Sequence, residues 1–281
     1  MAFLLSQLCA AGILGVFQSP AARANDLTQQ FFSPSISPVA PEATRARADQ
    51  LLRLGGQLRE AGQLLEAIAS WRQAIEVYHQ IGDITAIGLA YDYIGLTYGS
   101  LGRYQEAEDA LRRRLAVARS NEDLRGQIYG LNNLGTILLQ QGRIPQAQVL
   151  FQEGLAIAQS TRNQFGAGLS LSNLGLVAVA EGEFEQAVQL YQTSIDLRSR
   201  ANDELGRANT LNNLGDVYRF TERPVAAIQV YNKAARLARR LGDRPTHLRA
   251  IDGLVAAYTS QGEFAQALTQ LEARRSLTQG Q

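Results

Sequence analysis

Chemistry-bearing side chains are scarce in this chain of 281 residues. There is one cysteine, Cys9, so no internal disulfide can form. The two histidines, His79 and His247, lie far apart in sequence, and no Cys/His cluster has zinc spacing. Lys233 is the only lysine, Trp71 the only tryptophan and Met1 the only methionine. Charge of one sign is also lacking: the formal net charge is +1. Removing residues 1–24 removes one base, Arg23, and no acid, which leaves 26 basic against 26 acidic side chains. A chain without excess positive charge does not argue for nucleic acid or for an anionic membrane surface. No phosphate loop, dinucleotide fingerprint or serine with a base and orienting acid is present. The expectation is therefore no catalytic residue, no metal, no cofactor and no nucleic-acid partner. Hydrophobic residues make up 46% and charged residues 19%, enough to bury a core.

Long apolar runs are almost absent too. The exception is residues 2–17, which carry no charge. That run is shorter than the ~20 residues of a membrane span. It is followed by Ala22-Arg23-Ala24, a small-x-small cleavage signature. Residues 1–24 read as a secretory signal peptide and Asn25 as the mature start. This places the protein outside the cytoplasm, in a periplasm or equivalent lumen, without stable membrane insertion after cleavage; without a functional signal it is cytoplasmic. Residues 25–43 hold Pro34, Pro38 and Pro41 with Ser33, Ser35 and Ser37, and read as an exposed linker.

What the rest of the chain has is a period. Gly55, Gly95, Gly135, Gly175 and Gly215 lie 40 residues apart, and Val255 stands in the next position. Gly62, Gly102, Gly142, Gly182 and Gly262 recur seven residues later, with Glu222 the exception. Ala67, Ala107, Ala147, Ala187, Ala227 and Ala267 form an unbroken series. Four residues on stands a large apolar side chain: Trp71, Leu111, Phe151, Tyr191, Tyr231 and Leu271. Six copies run without insertion or deletion, at about 44–82, 83–122, 123–162, 163–202, 203–242 and 243–281. Each copy reads as two helices. In residues 125–141, Ile128, Leu131, Leu134, Ile137 and Leu138 have helical spacing, and the glycine near 142 stops the helix. Asp83, Asp123, Asn163, Asp203 and Asp243 sit between copies, where an N-cap is needed. Small residues let the two helices cross closely, and the large residue fills the gap to the next unit. The fold class is all-α: a right-handed superhelical α-solenoid of about six helix-turn-helix repeats, forming one domain over residues 44–281.

The pattern resembles the tetratricopeptide repeat. Ile94-Gly95 with Tyr98, and Leu214-Gly215 with Tyr218, match its first-helix signature; the alanine and the aromatic four later match its second helix. The period is 40 rather than the common 34, similar to the long variant of kinesin light chains, spindle-orientation adaptors and bacterial scaffolds. Asn133-Leu134-Gly135, Asn173-Leu174-Gly175, Asn213-Leu214-Gly215, Gly82-Asp83 and Gly242-Asp243 carry that likeness.

The resemblance implies a ligand on the concave face, lined by the first helices. The matching positions put there Asp92, Asn132, Ser172 and Asn212, then Tyr93, Asn133, Asn173 and Asn213. Leu96, Thr136, Leu176 and Asp216 follow, with Leu139, Val179 and Arg219 one turn on. An asparagine amide can pair with the N–H and C=O of an extended peptide. The same amides could instead bond across to neighbouring repeats and fix the stacking, and the sequence leaves both uses open. The first-helix positions carry no lysine, against a carboxylate clamp for chaperone tails. Lys233, Arg236, Arg239, Arg240, Arg244 and Arg249 meet only Asp243, and suit either an acidic partner or a solvated convex face. Leu268 and Leu271 of the last repeat are expected to be partly open, a place for a homodimer or another partner. The reading is a non-enzymatic interaction scaffold for an extended peptide or partner helix. Its rival is a regulatory or sensor module acting in trans on a separate effector.

Overall fold

The computed structural model describes residues 41–279; the expected signal peptide, its cleavage site and the linker up to residue 40 lie outside them. Twelve helices follow in six hairpins. The first helices are α1 (Pro41–Glu60), α3 (Ile84–Ser100), α5 (Leu124–Gln140), α7 (Gln164–Glu181), α9 (Glu204–Phe220) and α11 (Arg244–Ser260). The second helices are α2 (Leu64–Ile81), α4 (Tyr104–Ser120), α6 (Ile144–Ser160), α8 (Phe184–Arg200), α10 (Pro224–Leu241) and α12 (Phe264–Gln279). Pro41, expected in the linker, opens α1 instead. Proline has no N–H to lose in a first helical turn, so it starts a helix as readily as it breaks one.

Each helix packs on the one before and the one after it. First helices α3, α5, α7, α9 and α11 also touch in sequence, whereas second helices make no contact of that strength with each other. First helices therefore line the inside of the curve. The chain forms the all-α solenoid that its period predicts. None of the described helices is long and apolar enough to cross a membrane.

The hairpin geometry follows from one pairing. A Cβ on Gly55, Gly95, Gly135, Gly175 or Gly215 would lie 2.2–2.5 Å from the side chain of Trp71, Leu111, Phe151, Tyr191 or Tyr231, respectively. The large residue of each second helix thus rests on the bare backbone of its own first helix, sixteen residues earlier. This differs from the expected gap-filling toward the next unit; only a residue without a side chain lets a ring lie on the helix surface. Tyr231 also meets Gly253 of the following unit. The Ala67 series is sealed beside it, from 0% exposed at Ala67 to 5% at Ala267.

Polar groups fix the helix ends. Asp83, Asp123, Asn163, Asp203 and Asp243 each accept the N–H of the residue three further on, at 2.8–3.0 Å. Caps of this kind contribute about 1 kcal/mol each. The turn inside each hairpin needs a left-handed residue. Gly142 takes it with φ 76°, and Glu222, the one non-glycine in that series, takes it with φ 56°. The last hairpin is open on its outer side. Leu271 is 46% exposed, whereas the five earlier members of its series are fully buried, and Phe264 and Leu268 are exposed beside it.

Two measurements test this geometry. Gly175→Ala should lower stability by about 1–3 kcal/mol in urea unfolding, since the ring of buried Tyr191 has nowhere to move. Glu222→Gly should raise it, by up to about 1 kcal/mol, through relief of the left-handed backbone cost.

Candidate functional site

The inner wall encloses a cavity of about 760 Å³ that runs from Arg45 of α1 to Asn213 of α9. Its apolar surface comes from Leu52, Leu89, Leu96, Leu169, Leu176 and Leu205. Tyr129 and Phe165, on neighbouring first helices, form a tilted ring pair with centroids 5.8 Å apart.

Of the residues expected to form the site, Asp92, Leu96, Asn133, Thr136, Ser172, Asn173, Leu176 and Asn213 line this cavity. Asn132, Leu139 and Asn212 do not: they are at most 1% exposed and belong to the packing between helices. Tyr93, Val179, Asp216 and Arg219 lie outside the lining as well. Tyr93 packs its ring 5.3 Å from that of Trp71. Val179 packs against the core, Asp216 accepts from Tyr231 and Arg249, and Arg219 lies over the ring of Phe220.

The asparagine amides are used between repeats. Asn133 Nδ2 donates to Asp92 Oδ1 at 3.1 Å, and Asn173 Nδ2 to Asn132 Oδ1 at 2.9 Å. Asn132 Nδ2 donates to Ser170 Oγ at 2.9 Å, and Asn212 Nδ2 to the carbonyl of Thr246 at 3.2 Å. Asn213 Oδ1 accepts from Arg249. Every one of these bonds crosses from one repeat to the next. The geometry shows the stacking use; Asn133, Asn173 and Asn213 also line the cavity, where a bound peptide would meet them.

Four arginines that the first-helix pattern does not contain also reach the cavity. Arg45 pairs with Asp83 at 2.9 Å. Arg114, from second helix α4, donates through Nε to Asp92 at 2.7 Å and faces Asp123 at 3.5 Å. Its Nη1 is buried and has no hydrogen-bond partner among the described residues. Arg198, from second helix α8, pairs with Asp203. Arg125 lies 5.9 Å from the Tyr129 ring. The second-helix side chains enter because the first helices lack bulk where they pass. A Cβ on Gly88 would lie 2.7 Å from Arg114 Nη1, one on Gly126 2.3 Å from its Nη2, and one on Gly206 would strike Arg198. Burial pushes the Asp92 carboxyl above the usual carboxylate range, against the pull of Arg114 and Asn133. Burial also lowers Arg198, with Asp203 opposing. Tyr78 donates to Asp49 at 2.6 Å at the α1 end, and burial with that carboxylate raises its hydroxyl. With Asp49, Asp83, Asp92, Asp123 and Asp203 against four arginines, the wall is nearly balanced in charge.

A stack of helical hairpins with a lined inner wall defines the class of α-helical repeat scaffolds. The tetratricopeptide repeat model matches residues 47–120, 126–200, 166–240 and 206–279, and the chain belongs to that family. A search of curated proteins finds no match to the sequence. Among solved structures, it is similar to BtubC (BKLC) from P. vanneervenii, at 18% identity and TM-score 0.61, covering 85% of this chain and 91% of that one. It is similar to a Rap protein complexed with Competence and Sporulation Factor, at 11% identity and TM-score 0.62, covering 83% and 74%. Aspartyl phosphate phosphatase F from Bacillus subtilis is similar at 14% identity and TM-score 0.61, covering 86% and 72%. At these identities the likeness is one of fold.

Asn173→Ala leaves the buried Asn132 carbonyl without its donor. It should cost about 1–3 kcal/mol in thermal or urea unfolding.

Proposed function

We propose that the protein is a non-enzymatic interaction scaffold that holds an extended peptide or a partner helix along its inner wall. The observation that supports this most is the cavity itself: a continuous groove over five repeats, with leucines and an aromatic pair set among ion pairs. Adjacent helices of one layer in such a stack lie roughly 10 Å apart. Five of them therefore span about 40 Å, room for about twelve extended residues at ~3.3 Å each. Balanced charge in the wall means that affinity comes from apolar burial rather than from a net field. The amides of the inner wall each make a stacking bond, and selectivity for side chains rests with the leucines, Tyr129 and Phe165. Tetratricopeptide repeats serve as protein-binding platforms, and a Rap protein of this fold is complexed with Competence and Sporulation Factor.

The second reading, a regulatory module acting in trans on a separate effector, draws on the likeness to Rap protein and aspartyl phosphate phosphatase F. Both readings use the same groove and differ in what the bound state does next. The exposed Phe264, Leu268 and Leu271 are the surface on which a homodimer would form. Export to a periplasm or equivalent lumen remains part of the proposal.

Selection from a random-peptide library should yield ligands with apolar residues at regular spacing. Leu89→Glu and Leu169→Glu, half-buried on the groove wall, should each weaken the selected ligand by about tenfold or more, read by calorimetry, with the fold retained by circular dichroism. Undiminished affinity in both variants would remove the groove as the site.

A further inference from the structure

A second groove, of about 480 Å³, opens between α8, α9 and α10, away from the inner wall. Its lining includes Lys233, Arg236, Arg239 and Arg240 of α10 and Arg207 of α9, against one acid, Asp196 of α8. This concentration is unusual in a chain whose bases and acids otherwise balance. The sequence run that contains these cations divides in the structure. Arg249 turns to Asn213 and Asp216, while the α10 members converge on the groove.

The counterions present do not satisfy the cluster. Glu204 pairs with Arg207 at 3.2 Å and with Arg240 at 3.0 Å, so one carboxylate serves two guanidinium groups. Lys233, Arg236 and Arg239 are exposed and have no ion pair among the described residues. The helix dipole accounts for Arg239 and Arg240, which sit in the last turn of α10 and complement its negative end. It does not account for Lys233 and Arg236, which lie further back in the helix. Nor does the field stop at the groove. The His247 imidazole on neighbouring α11 is lowered by burial and by Arg239.

The floor of the groove is aliphatic. Leu211 and Leu237 are buried beneath it, and Ile195 is half-buried at its side. Cations above an aliphatic floor favour a segment that carries carboxylates on its flanks and a small apolar side chain between them. No aromatic ring is among the described residues that line the groove, so they offer no stacking platform of the kind a single-stranded nucleic-acid site uses. A recess between helices also differs from the flat basic face with protruding apolar anchors that holds a membrane surface.

We propose that this groove docks an acidic peptide segment of a partner protein, with an aliphatic side chain seated on Leu211 and Leu237. The site is separate from the inner wall, so the scaffold can hold one partner inside its curve and a second outside it.

The probe is a fluorescein-labelled peptide of about twelve residues that alternates glutamate pairs with single leucines, followed by fluorescence anisotropy. It should bind the full chain, and binding should weaken as sodium chloride rises from about 50 to about 200 mM. Lys233→Glu combined with Arg236→Glu should reduce affinity by about tenfold or more. Arg47→Glu combined with Arg113→Glu changes the net charge equally at exposed positions elsewhere, and should leave the affinity within about twofold of the parent. Circular dichroism should show both double variants folded. Equal losses in the two double variants would reduce the effect to net charge and overturn the proposal. So would tighter binding of an oligothymidine or of phosphatidylserine vesicles than of the peptide at the same salt. Because Leu89→Glu and Leu169→Glu lie in the other groove, they should leave this peptide's affinity unchanged; loss there with retention here separates the two sites.

Discussion

The distance between the two helices of a hairpin is set by an absent side chain. In five of the six hairpins, a glycine of the first helix supports a large apolar residue of the second, and a single methyl group would lie inside that residue's van der Waals surface. Glycine in a helix interior costs roughly 0.5–1 kcal/mol relative to alanine. The contact it permits buries a whole aromatic or leucine side chain, worth about 1.5–3 kcal/mol. The exchange is favourable, and it recurs at the same place in five hairpins. A contact repeated every forty residues is what lets the units stack regularly. The sixth hairpin lacks the glycine, carrying Val255 instead, and its partner Leu271 is the one member of the series left open.

Apolar stacking fixes spacing but is indifferent to sliding, because the hydrophobic effect has no direction. Register between hairpins needs groups that have direction. The buried polar layer supplies them: Asn173 donates to Asn132, Asn132 to Ser170, Asn133 to Asp92, and Thr246 to Asn209. A shift by one residue along a helix would strand several of these donors and acceptors inside the protein, each costing about 1–3 kcal/mol. The curvature of the inner wall, and with it the shape of the groove, rests on this layer.

The architecture was legible because its signals repeat. The glycine and alanine series, the aspartate and asparagine caps and the 40-residue period each point to the same hairpin, and agreement among independent signals leaves little room for another fold. The groove was legible only in part. Leu96, Thr136, Ser172 and Leu176 follow from position along the first helix. Arg114 and Arg198 do not, since they belong to second helices, which the family resemblance assigns to the outer layer. A signal for them exists in Gly88, Gly126 and Gly206, first-helix glycines outside the Gly55 series. Such glycines mark places where a neighbouring side chain must pass. The use of the asparagines was beyond reach, because an amide suits a peptide backbone and a neighbouring amide equally well. The distances to Asn132 and Asp92 establish the stacking bonds, which no sequence position announces.

The two grooves differ in how charge enters. Along the inner wall each arginine has an aspartate or an aromatic ring close by, so the fixed charges neutralise one another and orient the surface without attracting ions from a distance. A ligand there must displace water from leucines and rings, which favours slow, shape-dependent recognition. In the outer groove three cations have no counterion among the described residues, and their attraction extends about a Debye length into solution. A ligand there is drawn in by charge first and fitted afterwards. Because charge reversal on exposed α10 side chains touches none of the glycine–aromatic contacts that hold the hairpins, the outer surface is free to vary without disturbing the curve that shapes the inner one.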